Sequence, residues 1–261
     1  MPTIIVAVAT SLLVGHPAGS NPCPTSYIVG LTCFPLNLTL PLFHNFNKSL
    51  NNLRIMGNGL FIVVDGIDGS GKSEIIKMLH NYMFSKNKKY RILTTREPTN
   101  GKYGNQIREM LRNEKDPKSS SKKLVELFIK DREDHLNNTI EPFLKNSNEN
   151  ELNIVLCDRY YYSTIAFQGA QGLDVNELIG KNENFRKPDV TFILDVDPEL
   201  ALKRIEYREK EKFEKLEFMK KIRENFLKLP SLLKDNIKII NSNKTLNEVF
   251  EDIKKEADKT L

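Results

Sequence analysis

Residues 61–73 read FIVVDGIDGSGKS. Phe61, Ile62, Val63 and Val64 form a short apolar run that suits a strand buried on both faces. Asp65 and a glycine-rich turn follow. From Glu74 onward, Ile75, Met78, Leu79 and Met83 share one helical stripe. The turn between strand and helix matches G-x-x-x-x-G-K-S through Gly66, Gly71, Lys72 and Ser73. Glycines let successive backbone N–H groups curl around a phosphate without Cβ clashes. The helix start adds the positive end of its dipole. Lys72 would reach the outer phosphates, and the Ser73 hydroxyl would ligate Mg²⁺. The cradle for a nucleoside triphosphate such as ATP is then Gly66, Ile67, Asp68, Gly69, Ser70, Gly71, Lys72 and Ser73. Lys72 is expected at a solvent-facing loop end.

The chain has 261 residues, 39% of them hydrophobic, which is enough for a core in one large domain or two small ones. The formal charge is +5, from 39 basic and 34 acidic residues. That modest excess fits anionic substrates and is weaker than the concentrated basic face of a nucleic-acid binder. Cys23, Cys33 and Cys157 are too few and too scattered for a disulfide framework or a zinc site. A reducing cytoplasm is the expected compartment.

Residues 1–55 differ from the rest. They contain no acid, and the first in the chain is Asp65. The apolar run 4–14 is too short to span a bilayer and no basic segment precedes it. Three readings stand: a targeting segment, a disordered extension, or a start-site artefact with Met56 as the true first residue. The last is favoured, and the folded domain is expected over 56–261.

Beyond the first helix, strands are expected at 90–95, 153–157, 190–196 and 237–240. Helices are expected at 104–112, 122–144, 160–168, 198–208, 218–229 and 245–257, with Pro142 ending or kinking the second. Residues 115–121 read as a Lys/Ser loop. Five strands alternating with helices imply an α/β fold, a parallel doubly wound sheet covered on both faces. Ligands then sit beyond the carboxyl ends of the strands. The charged motifs at 65–73, 96–98 and 158–159 fall there. Asp158 closes an apolar strand, the place of the carboxylate that holds the Mg²⁺ shell in a phosphate-loop protein. Arg159 beside it would face an acceptor phosphate.

The motifs GIDGSGKS, TREPT, LFIKDR and DRYYYSTIAFQG, in that order, closely resemble the thymidylate kinase family. The resemblance runs from about Leu60 to the C-terminus. It implies a phosphate-loop kinase fold with a short lid, Mg²⁺-dependent transfer of the ATP γ-phosphate to dTMP, and a homodimer. It also implies roles at matching positions. Arg96, with Glu97 and Pro98, would shape the acceptor pocket, and Phe128 would stack on the thymine. Arg132, one helical turn on, would donate to a base carbonyl, and Ser163 would face the base edge. Arg108 and Arg159 would hold the dTMP phosphate. Phe167 would pack against the sugar, and Asp68 would reach its 3′-OH.

Gly69 leaves the phosphate loop without an arginine, as in family members whose catalytic arginine sits in a lid. Residues 204–215 match that lid in position. The lid cation is expected among Arg204, Arg208 and Lys212, with Arg208 first. The catalytic set is thus Lys72, Asp158, Arg159, Arg204 and Arg208, with Ser73 and Asp158 on the metal. Two other readings stay open: a kinase for another nucleotide or a deoxynucleoside, and a phosphate-loop switch with no small acceptor.

Overall fold

The computed structural model describes residues 59–261 except 114–116, 149 and 206–208; the side chains of 117–119 and 209–214 are also left aside. The stretch 1–55, Arg208 and the Lys212 side chain therefore lie outside the described residues. Five strands form one sheet: β1 (Leu60–Gly66), β2 (Tyr90–Arg96), β3 (Leu152–Asp158), β4 (Val190–Asp195) and β5 (Ile237–Asn241). All pairings are parallel, in the order β2-β3-β1-β4-β5. The chain leaves β1 toward one edge, returns through β3 and crosses to β4. The crevice at that switch opens beyond the carboxyl end of β1.

The central strand is buried throughout, which is why it reads as an unbroken apolar run. Its residues alternate between two cores. Phe61 and Val63, with Val155, Cys157 and Ile193, face α3 (Pro117–His135), α5 (Tyr161–Ala170) and α8 (Glu209–Leu232). Ile62 and Val64, with Ile154, Leu156 and Phe192, face α1 (Lys72–Lys86) and α9 (Leu246–Ala257). Each fully buried aliphatic side chain contributes about 1.5–3 kcal/mol. A third, smaller cluster of Ile107, Leu124 and Leu127 joins α3 to α2 (Lys102–Asn113).

Four expectations are corrected. The 115–121 loop is helical from Pro117 onward. The irregularity of the following helix is a π turn, Leu136–Ile140, not a break at Pro142. Pro142 stands in the first turn of α4 (Glu141–Lys145), directly after that π turn. An unexpected α6 (Val175–Asn182) begins at Asp174, whose side chain accepts from Glu177 N at 2.8 Å. And α7 is shorter than expected: it spans Pro198–Arg204 and stops at Ile205, whose backbone is extended (φ −110, ψ 108). Arg204 is therefore the last residue of α7.

Candidate active site

β1 delivers Asp65 and Gly66 to the crevice, and the loop turns back into α1 at Gly71 (φ 97). Lys72 is buried, contrary to its expected solvent-facing place. Its ammonium donates to the carbonyl oxygens of Gly66 at 3.1 Å and Ile67 at 2.8 Å. Burial brings the Lys72 pKa down to about 8, helped by the nearby Arg159 charge and opposed by Asp68, Asp158 and Asp65. Gly69 is required twice over. Its φ is +77, and a Cβ there would lie 2.5 Å from the Ala201 carbonyl oxygen. That close approach seats α7 on the loop. From the end of α7, Arg204 Nη1 donates to Gly69 O at 3.2 Å.

The strand register sets Val64 opposite Asp158 and Asp158 opposite Arg96. Ser73 Oγ, from the first turn of α1, donates to Asp158 Oδ2 at 3.3 Å. Asp158 Oδ1 is buried with no hydrogen-bond partner. A hydroxyl beside a carboxylate with a spare buried oxygen is a hard-oxygen pair, which fits Mg²⁺ completed by phosphate oxygens and water. Both residues line a cavity of about 610 Å³ at the outer edge of β2, with Lys77, Arg96, Asp134 and Thr139 among its other walls.

Arg159 holds a left-handed backbone (φ 69), a strained state for a non-glycine residue costing roughly 1–3 kcal/mol. Its guanidinium donates to Gly66 O at 3.0 Å, to Ser163 Oγ at 2.8 Å and to Asp68 Oδ1. It also lies 5.2 Å from the Phe167 ring centroid, in cation–π range. Asp68, Arg159, Ser163 and Phe167 thus form one connected group above the phosphate loop. The Ser163 hydroxyl in turn donates to the buried Asp65 Oδ1 at 2.7 Å.

The remaining acceptor residues flank this group. The Glu97–Pro98 peptide is cis. Arg108 donates to Pro98 O at 3.0 Å, to Thr99 O and to Asn100 Oδ1 at 3.2 Å, so its guanidinium ties the turn after β2 to α2. Gly104 permits that contact, because a Cβ there would meet Thr99 O at 1.9 Å. Phe128 is half-buried against the α2–α3 cluster. Arg132 is fully buried. It donates to Glu97 Oε2 at 3.0 Å, Asn182 Oδ1 at 2.7 Å and Thr164 Oγ1 at 3.1 Å, and pairs a second time with Glu97 at 2.8 Å. The three hydrogen bonds take three of its five N–H donors, and one N–H on Nη1 is left without a bond. Arg96 is exposed, and of the sequence-predicted acceptor residues it alone lines the β2-edge cavity among the described residues.

Residues 64–253 match the family model of thymidylate kinase. The chain belongs to the thymidylate kinase family. A thymidylate kinase of Clostridium novyi is 35% identical over 208 residues, which cover 76% of this chain and 98% of that relative. A probable thymidylate kinase of Methanococcus vannielii is 40% identical over 200 residues, 74% of this chain and 92% of the relative. The crystal structure of thymidylate kinase from Ehrlichia chaffeensis superposes with a TM-score of 0.60 at 26% identity, covering 77% of this chain and 99% of that one. The fold this family implies is the one observed, a five-stranded parallel sheet entered through a phosphate loop.

Against that family pattern, the buried partners of the site were the least visible in sequence. Asp65, His135, Thr164 and Asn182 carry no expected role, yet each bonds an expected site residue or its partner. His135 had one usable signal, its i+3 spacing from Arg132 on α3. Asn182 and Thr164 come from distant segments and had none.

Proposed function

We infer that this chain transfers the γ-phosphate of ATP to dTMP, giving dTDP and ADP. The observation that carries the reading is the convergence of Lys72, Ser73, Asp158 and Arg159 at the ends of β1 and β3, in a chain of the thymidylate kinase family. The loop N–H groups and Lys72 hold the donor phosphates. Lys72 must leave the Gly66 and Ile67 carbonyls to do so, and the incoming anion favours its charged form. Ser73 and Asp158 would hold Mg²⁺. When bound, the ion supplies charge that offsets the build-up on the transferring phosphoryl group.

Arg159 and Arg108 exchange their loop partners for the acceptor phosphate and set it in line with the donor. Phe128 supplies an aromatic face for the base, Arg132 a spare N–H donor on Nη1, and Phe167 a wall at the sugar. Asp68 accepts from the 3′-OH. An oxygen of the dTMP phosphate attacks the γ-phosphorus as the bond to the β-bridging oxygen breaks, with no covalent enzyme intermediate. A guanidinium from Arg204 or Arg208 neutralises the moving group.

The catalytic unit in this reading is 56–261, and 1–55 are dispensable. The enzyme works in the cytoplasm, as a homodimer, with no nucleic-acid or membrane partner; no described helix is long and apolar enough to cross a membrane. ADP release measured across dTMP, dUMP, UMP, CMP, AMP and thymidine tests the substrate. Turnover is expected to be greatest with dTMP and lost with thymidine, which lacks the acceptor phosphate. Preference for another monophosphate would overturn the reading.

A further inference from the structure

Asp65 closes β1 and has no solvent exposure. Its carboxylate is fully engaged. Oδ1 accepts from Gly66 N at 2.8 Å and from Ser163 Oγ at 2.7 Å. Oδ2 accepts from Tyr160 N at 3.2 Å and from Ser163 N at 3.0 Å. Tyr160 is the residue before α5 and offers no side-chain cap. A carboxylate from a different strand therefore caps α5 across the crevice, placing negative charge at the positive end of that helix.

The same group brackets Arg159. Tyr160 N is held on one side of it in sequence, and Arg159 N donates to Val64 O at 3.0 Å on the other. Arg159 Nη1 stands 3.6 Å from Asp65 Oδ1, and Ser163 Oγ bridges the two groups. The left-handed backbone of Arg159 is thus pinned at its own N–H and at the next one, and its guanidinium is pulled over the phosphate loop.

We propose that Asp65 is a positioning residue for the acceptor: it locks the strained Arg159 turn and aims that guanidinium at the acceptor phosphate, without touching substrate itself. This rests on the reading that Arg159 grips that phosphate. Both Asp65 oxygens are occupied inside the fold, so it has no free lone pair directed at a reacting proton. Its effect on the acceptor must pass through Arg159; its bond to Gly66 N also touches the phosphate loop, so donor affinity should fall too, but by less than acceptor affinity.

The test is a double-mutant cycle read by calorimetric binding of dTMP and, separately, of ATP. Asp65→Asn keeps the shape but turns an amide NH₂ toward backbone N–H donors. In folded protein it is expected to weaken dTMP binding by at least ~10-fold, a coupling of the size seen within one hydrogen-bonded network, and to weaken ATP binding by less than that. Added to Arg159→Ala, it should weaken dTMP binding by less than a further ~2-fold. Folded Asp65→Asn with unchanged dTMP affinity, or penalties that multiply in the double variant, would overturn the proposal. Should Asp65→Asn not fold, Ser163→Ala takes its place in the same cycle: loss of the bridge supports the proposal if it vanishes in the Arg159→Ala background, and multiplying losses overturn it. If Arg159→Ala alone leaves dTMP affinity intact, the acceptor role of Arg159 fails first, and the proposal with it.

Discussion

Lys72 Nζ donates to the carbonyl oxygen of Ile67 at 2.8 Å and so closes the phosphate loop on itself. The ammonium is buried and waits on oxygens that triphosphate oxygens would replace. Lys72→Met keeps the aliphatic stem and removes the charge. It is expected to cut turnover by at least about 100-fold, the usual cost of losing one preorganised donor at a transition state. Thermal unfolding should change little, because burial opposes the charged form it removes. A folded variant with near-normal turnover would remove the phosphate-loop assignment.

Glu97 lies at the centre of a buried network. It pairs with Arg132 at 2.8 Å and lies 3.2 Å from His135 Nδ1, and His135 Nε2 is 2.7 Å from Thr95 Oγ1. Arg132 and Glu97 side chains are 1% and 3% exposed. Glu97→Ala leaves a guanidinium buried without its counter-charge. The expected loss of stability is about 3–5 kcal/mol, measured by urea unfolding. A loss below about 1 kcal/mol, the value of a surface pair, would show that water reaches Arg132.

How far the sequence disclosed this molecule depends on the range of each interaction. β1 and the phosphate loop were legible because strand, glycines, Lys72 and helix are contiguous and their order is fixed by phosphate binding. Asp158 was legible because an acid that closes an apolar strand after the phosphate loop stands where the Mg²⁺ carboxylate belongs. The partners of Ser163 and Arg132, Asp65 and Asn182, were not legible, because they come from remote segments that no local period reports. The buried Lys72 was missed for a similar reason. A lysine beside glycines reads as exposed, and only the folded loop shows two carbonyls turned inward to receive it. α7 was overextended because 198–208 stays rich in helix formers, and the stop at Ile205 is set by backbone geometry with no glycine or proline to mark it.

The last helix offers a pH-dependent measurement. Thr245 and Glu248 form a reciprocal capping box at the start of α9. Glu248 Oε2 accepts from Thr245 Oγ1 at 2.7 Å and from Thr245 N at 2.9 Å, and these bonds hold the Glu248 carboxyl below its ordinary value of 4.5. A folded-state pKa below the unfolded one means the contribution is present above the unfolded value and is lost as pH falls through the folded one. Glu248→Ala should therefore lower the Tm at pH 7. The gap to wild type should narrow as the pH is taken below 4.5. A gap that stays constant with pH would mean that the charge plays no part in the cap.

Arg204 is the lid candidate that the described residues place beside the loop. Its Nη1 donates to Gly69 O at 3.2 Å and its Nη2 to Ser242 O at 3.5 Å. Both acceptors are neutral carbonyls, and a phosphate oxygen is the stronger partner for a guanidinium. α7 is pressed on the loop at Gly69, which keeps Arg204 beside the phosphate loop. Arg204→Ala is expected to lower kcat by at least about tenfold, or ~1.4 kcal/mol in barrier, with the KM for dTMP little changed. Arg204→Lys should recover little of that, since a point charge cannot make the two-pronged contact. Arg208→Ala, assayed beside it, carries the larger expected loss from the sequence pattern. If Arg204→Ala keeps kcat within about threefold of wild type, ~0.65 kcal/mol, then Arg204 only ties the loop to the end of β5, and the transferring phosphate takes its guanidinium from Arg208.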